Sequence, residues 1–360
     1  MTSRHDHFPR ADAARRLAMR RAVAHVEAAW RAADTAPDGL LAAIAALADA
    51  PADVAIACLL PWLSDTDWLC GRLDAALALL AADPFARPPL RMVGGGDGGP
   101  GGLVLADCGA IRLTLQLRPF TANGVAPGNA VFVPGRAAIH VLDGGGAELR
   151  AHIVAVSAAE EAGGFTAQGA AQCLTQPSRP LRTGETLILD TARQSFTLHG
   201  TGRDILYLEL TVQPPSRLPI RGYDIASGRL THVSASRRDS SFRQTALTLL
   251  RKLGRTDAAP LFVAETASED FAARWNAMRE LVALDPAMAL PHLAAMAAHD
   301  PHPEARRAAA ATHALIFLPS GETGREGGGG PGPCTSLAPS TLKSSGKPAP
   351  RPKEPAPCPA

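Results

Sequence analysis

The chain has 360 residues, enough for two or three domains, and its 36 Lys and Arg against 34 Asp and Glu leave a formal charge of +2. That balance excludes the strongly basic class that holds nucleic acid or an anionic membrane by charge alone. Hydrophobic residues make up 46% and aromatic ones only 4%, which points to helix-rich, small-residue packing.

Residues 1–90 read as a helical region. Leu17, Val23, Val26 and Trp30 recur at helical spacing in 11–33, and Pro37-Asp38 opens a second helix at Leu40–Leu47. Asp53–Leu63 and Asp67–Leu80 predict two more, with Asp65-Thr66-Asp67 as a cap. The prolines at 84, 88 and 89 end the run.

After the glycine-rich loop 94–102 the apolar period drops from 3.6 to 2. Segments 103–105, 111–117, 138–142, 149–156, 186–189, 195–199 and 205–212 read as strands between Gly-, Pro- or Asn-bearing turns. Seven short alternating strands predict an antiparallel sandwich or barrel over 91–235. Residues 218–224 and 229–233 are expected as edge strands, with Pro219 tolerated only at an edge.

Over 236–318 a pattern recurs. Arg243-Gln-Thr-Ala, Arg274-Trp-Asn-Ala and Arg306-Arg-Ala-Ala stand 31 and then 32 residues apart, the spacing of stacked helix pairs. Acidic turns at 268–270 and 300–304 supply caps, and the three arginines are expected to pair with such turns or with carbonyls. Only about two and a half units are present, so the array is expected to lean on the rest of the chain. Residues 319–360 are a Gly-, Pro-, Ser- and Lys-rich tail, expected to be disordered.

The repeat segment 242–317 resembles HEAT-like repeats through its three arginines, Ala246, Ala277 and Ala309, and the Asp-Pro turns at 285–286 and 300–301. That resemblance implies a scaffold that binds protein partners. Residues 103–213 resemble a cupin-like β domain, with Gly184-Glu-Thr-Leu-Ile-Leu-Asp190 matching the opening of the second cupin motif. The family's metal ligands are mostly missing: His140 stands in place, Leu142 replaces the second His, Glu148 is late, and Ser195 holds the position of the final His. His199 lies four residues further on. The fold class is therefore α+β, with an N-terminal helical region, a central cupin-like antiparallel sandwich or barrel, and C-terminal HEAT-like α-repeats.

His140, His152 and His199 are the candidate metal ligands, since three converging imidazoles would suit Zn or Fe. The alternative reading of each is a hydrogen-bonded structural residue. His292, His299 and His302 read as a solvated repeat surface, His5 and His7 as a frayed terminus, and Arg15, Arg16, Arg20 and Arg21 as a solvated helix face. The six cysteines show no metal or redox spacing, and no phosphate loop or nucleophile elbow occurs. No apolar run reaches the ~20 residues of a membrane span, so a soluble, cytoplasmic, bacterial protein is expected. The favoured function is a non-catalytic interaction or regulatory protein, with a partner-binding repeat surface and a β domain that senses a small ligand or is structural. No cofactor is expected on this reading, and nucleic acid and membrane are not expected partners. The alternative is a metal-dependent cupin enzyme, an oxygenase or isomerase acting on a small molecule.

Overall fold

The computed structural model describes residues 13–94, 100–119, 127–199, 202–236 and 238–317. The terminal histidines, most of the glycine-rich loop and the tail fall outside these residues. Five helices come first: α1 (Ala13–Thr35), α2 (Leu40–Ala45), α3 (Ala52–Leu59), α4 (Pro61–Ser64) and α5 (Asp67–Ala82). Pro61 divides the single helix expected over 53–63, because it has no N–H to continue the ladder and is tolerated at a first turn. At the start of α5 the N-cap residue Thr66 makes no side-chain capping bond, and Asp65 Oδ1 instead accepts the Asp67 N–H at 3.1 Å.

Among the described residues the strands that follow are β1 (Arg91–Gly94), β2 (Gly101–Cys108), β3 (Ile111–Arg118), β4 (Asn129–Phe132), β5 (Arg136–Asp143), β6 (Glu148–Ile153), β7 (Leu174–Thr175), β8 (Arg179–Pro180), β9 (Thr186–Asp190), β10 (Gln194–His199), β11 (Ile205–Val212), β12 (Ile220–Asp224) and β13 (Leu230–Ser234). One sheet runs β1-β2-β3-β11-β5-β9, a second β10-β6-β7 with β8 also on β6, and a third β13-β12-β4. β4 lies beside β10. Thus β3, β11, β5 and β9 make one layer, and β4, β10, β6 and β7/β8 the other. The chain crosses between them at β3–β4, β4–β5, β5–β6, β8–β9, β9–β10 and β10–β11, which is the order of a double-sheet jelly roll, the cupin-like architecture. β12 is not the edge strand expected, since β13 and β4 flank it and Pro219 stands just before it.

The alternation of β11 divides its residues between two environments. Leu208 and Leu210, with Leu113, Leu115 and Ala138 from the strands beside them, pack under Leu40, Ile44, Ile56, Leu59 and Leu63 of the helices. Each such fully buried leucine contributes about 1.5–3 kcal/mol. On the opposite face Val141, Leu187 and Tyr207 meet Leu149, Ala151, Phe196 and Leu198 of the second sheet, closing the sandwich. The turn into β5 depends on Gly135, at φ 144°, where a Cβ would stand 2.4 Å from the Val212 carbonyl oxygen. Gly135→Ala is expected to destabilise by roughly 1–3 kcal/mol, read as a lower urea midpoint at unchanged slope.

The array is α6 (Arg238–Lys252), α7 (Ala259–Glu265), α8 (Phe271–Leu284), α9 (Pro286–His299) and α10 (Pro303–Phe317). α8 packs against α6, α7, α9 and α10. Asp270 caps α8 by accepting the Ala272 and Ala273 N–H groups, and Asp285 caps α9 through Met288. The array is seated on the jelly roll. Phe271 packs with Phe165 and Leu218, and Ser236 N–H donates to Asp270 Oδ2 at 2.9 Å. Arg221, fully buried near the Phe132 and Phe165 rings, donates to the Ala192 carbonyl and ties β12 to the same region.

Candidate functional site

The three candidate histidines do not converge. His140 stands opposite Leu208 in the register of β5 and β11, on the helix-covered face of the first sheet, with Nδ1 2.9 Å from Thr186 Oγ1. His152 and His199 are on the second sheet. The fault in the expected site is strand pairing: β5 pairs with β11 and β9, whereas β6 pairs with β10, so His140 joins a different layer. Among the described residues no group of three His, Cys, Asp or Glu is placed to hold a metal ion.

His152 and His199 are instead joined by hydroxyls. Thr175 Oγ1 lies 3.0 Å from His152 Nδ1, Thr197 Oγ1 lies 3.0 Å from His152 Nε2, and His199 Nε2 lies 3.1 Å from the same Thr197 oxygen. A threonine hydroxyl has one proton to give, so Thr197 links the proton positions on the two rings. Burial pushes both histidines below their ordinary pKa, with Arg150 adding to it in each case. His152, Thr175, Thr197 and His199 thus form one hydrogen-bonded network on the second sheet.

The inner face of the first sheet carries a polar row without histidine. Glu209 on β11 stands opposite Thr114 on β3, and Tyr207 opposite Gln116. Gln116 Nε2 donates to Thr114 Oγ1 at 3.0 Å and to Glu209 Oε2 at 3.3 Å, while Thr114 Oγ1 donates to the Glu209 carbonyl at 3.4 Å. Glu209 keeps some solvent access yet is enclosed by protein, and that desolvation raises its carboxyl pKa against the opposing Gln116 hydrogen bond. Desolvation and then Glu209 push the Tyr207 phenol up to about 12, with Arg118 acting against them. A half-buried carboxyl of raised pKa beside an amide and a phenol can accept or donate hydrogen bonds to a small polar ligand. The readable signal was Tyr207-Leu-Glu-Leu-Thr211, where period 2 aligns three polar groups. Because the folded pKa is raised, the Glu209 contribution is full at low pH and lost as pH rises through the folded value. Glu209→Gln is therefore expected to raise the melting temperature relative to wild type more at pH 8 than at pH 5.

In the array, Arg274 is buried and bidentate on Asp300, at 2.8 Å for both Nε–Oδ2 and Nη2–Oδ1, and its Nη1 donates to the Ser268 and Glu269 carbonyls. Arg306 reaches the Asp300 carbonyl, and Arg243 pairs with Asp239 and Glu265. His302, expected on a solvated surface, is buried. Its Nε2–H donates to the Phe165 carbonyl at 2.8 Å, its Nδ1 accepts the Glu304 N–H, and its ring stacks on Phe271 at 3.7 Å. Burial lowers its pKa against the raising effect of that carbonyl. At the N-terminal helix Arg15 pairs with Asp83 at 2.8 Å, whereas Arg16 and Arg20 line a shallow cleft with Arg87.

Residues 230–314 match the family profile described as HEAT repeats. No curated protein sequence matches the chain. Among solved structures, a conserved protein of unknown function from Pseudomonas aeruginosa PAO1 is 17% identical at a TM-score of 0.22, over 35% of this chain and 53% of that one. Hydroxypropylphosphonic acid epoxidase from S. wedmorenis is 9% identical at 0.24, over 34% and 55%. A cupin domain from Bordetella pertussis Tohama I is 14% identical at 0.20, over 32% and 95%. The chain spans about half the length of the first two. The strand order, and not these low scores, makes the central domain a jelly roll.

Proposed function

We propose that the protein is a non-catalytic interaction or regulatory protein whose HEAT-like surface binds a protein partner. The jelly roll either senses a small polar ligand through the Glu209 row or serves as the seat of the array. The carrying observation is the HEAT match over 230–314, on an array that leaves apolar side chains of α6, α7, α9 and α10 in solvent. HEAT units stack into extended surfaces that other macromolecules use. A bacterial, cytoplasmic setting belongs to the same reading and rests on composition.

The test has two arms on the full-length protein. Cross-linking identifies a direct partner, whose purified form is then titrated against wild type and against variants carrying Glu at exposed apolar positions of the array. At least one such position is expected to weaken binding tenfold or more. Metal analysis is the second arm. Stoichiometric Fe, Zn or Mn that is lost in His140→Ala or His199→Ala would replace this reading with the metal-dependent enzyme.

A further inference from the structure

The first helix of the array presents an apolar seam that faces away from everything it packs against. Phe242, Ala246 and Leu249 on α6, with Leu253 in the turn just past its end, follow one another at spacings of 4, 3 and 4, the d-a-d-a order of a helix–helix seam. Phe242 is 76% exposed, Leu249 56% and Leu253 64%. Leu247, on another side of α6, is buried with Ala277 and Leu281 of α8, and Arg251 pairs with Glu280 there. With 100° per residue, the seam lies nearly opposite the side that meets α8. Exposed Leu261 on α7 is a further apolar side chain of the same first repeat.

A repeat stack buries each unit against its neighbours, and terminal units ordinarily carry a polar outer face. The outward face of α6 breaks that rule, so it is built to receive another helix. Its charge margin says which kind. Asp239, Glu265 and Asp257 near the seam are paired with Arg243 and Arg255. Among the described residues, exposed Lys252 beside Leu253 pairs with no carboxylate.

We propose that α6 docks an amphipathic helix of another protein, laid along Phe242, Ala246, Leu249 and Leu253 as one more layer of the stack, with acidic residues flanking its apolar stripe and facing Lys252. The proposal rests on the scaffold reading and names its contact face. Such a helix-on-helix arrangement gains affinity from apolar anchors at the seam and orientation from the flanking charges.

The probe is a labelled 21-residue peptide with Leu at a and d and Glu at e and g, whose like charges oppose self-pairing. The control has Lys in place of Glu. By fluorescence anisotropy with full-length protein, the Glu peptide is expected to bind at least tenfold more tightly than the Lys peptide. Leu249→Glu is expected to weaken the Glu peptide tenfold or more, and Lys252→Glu to reverse the charge preference. Both side chains are exposed, and circular dichroism confirms that the variants fold. No binding of the Glu peptide, equal binding of both peptides, or indifference to Leu249→Glu would overturn the proposal. So would a dimer in sedimentation that Leu249→Glu dissolves, since the occupant is then a second copy. A cross-linked partner whose titration ignores Leu249→Glu but fails with Met288→Glu on α9 overturns the seam and leaves the scaffold standing. A partner indifferent to every array variant removes both.

Discussion

Arg274→Ala is expected to unfold the array first and to cost about 3–5 kcal/mol, the range for breaking a buried ion pair by removing one partner. The size follows from what is left behind. Asp300 is buried, and desolvation alone would raise its pKa. The Arg274 hydrogen bonds and then the His302 backbone N–H reverse that and hold it below the ordinary carboxylate value. Without the guanidinium, that carboxylate must be protonated or solvated, and the Ser268 and Glu269 carbonyls lose a donor. Arg274→Lys is expected to recover only part, because an ammonium cannot span both carboxylate oxygens and two carbonyls in one plane. Arg274→Met with Asp300→Asn is expected to be less damaging than the two single losses added, since the orphan charge goes with its partner. Urea titrations followed by helical signal read all three. A loss below 1 kcal/mol for Arg274→Ala would show that the pair is solvated in solution.

The same turn shows what the chain could and could not reveal before folding. Asp300-Pro-His-Pro-Glu304 is legible as a polar cap between repeat helices, because prolines and carboxylates have local reasons to stand there. Nothing local tells that His302 is buried, since its cover is Phe165, 137 positions earlier, and Phe271. The strands were legible by period 2, and the helical repeat by its 31- and 32-residue offsets. Which strand sits beside which was not, and that decided the candidate site. Placing His140 with His152 needs β5 and β6 in one layer, whereas the four residues between those strands carry the chain across the sandwich. Glu209 was hidden for the opposite reason: its alternation was plain, but only the helices packed over Leu208 and Leu210 show that the polar face is the inner one.

Those burials carry the second large expectation, a loss of stability in mild acid. His152 and His302 are buried, and burial is the main cause lowering each pKa from the ordinary imidazole value of 6.5. The unfolded chain therefore takes up protons near pH 6.5 that the folded chain still refuses. Stability from these two groups is full above pH 6.5 and falls as pH drops from there toward their folded values. Each contributes a slope of up to about 1.4 kcal/mol per pH unit within that window. Asp300, with a lowered pKa, acts only at lower pH, below the ordinary carboxylate value of 3.8. Glu209, raised, opposes the trend, which Glu209→Gln isolates. The urea midpoint is expected to fall steadily from pH 7 to pH 5.5. His302→Gln is expected to be less stable at pH 7 yet to show a shallower slope, because its side chain no longer titrates. His302 joins the array to the jelly roll through the Phe165 carbonyl, so its share of the loss is expected at that joint. Amide exchange in α8 and α10 is then expected to accelerate before exchange in β3 and β11. A midpoint unchanged between pH 7 and 5.5 would mean that both imidazoles are protonated as readily in the folded protein as in the unfolded chain.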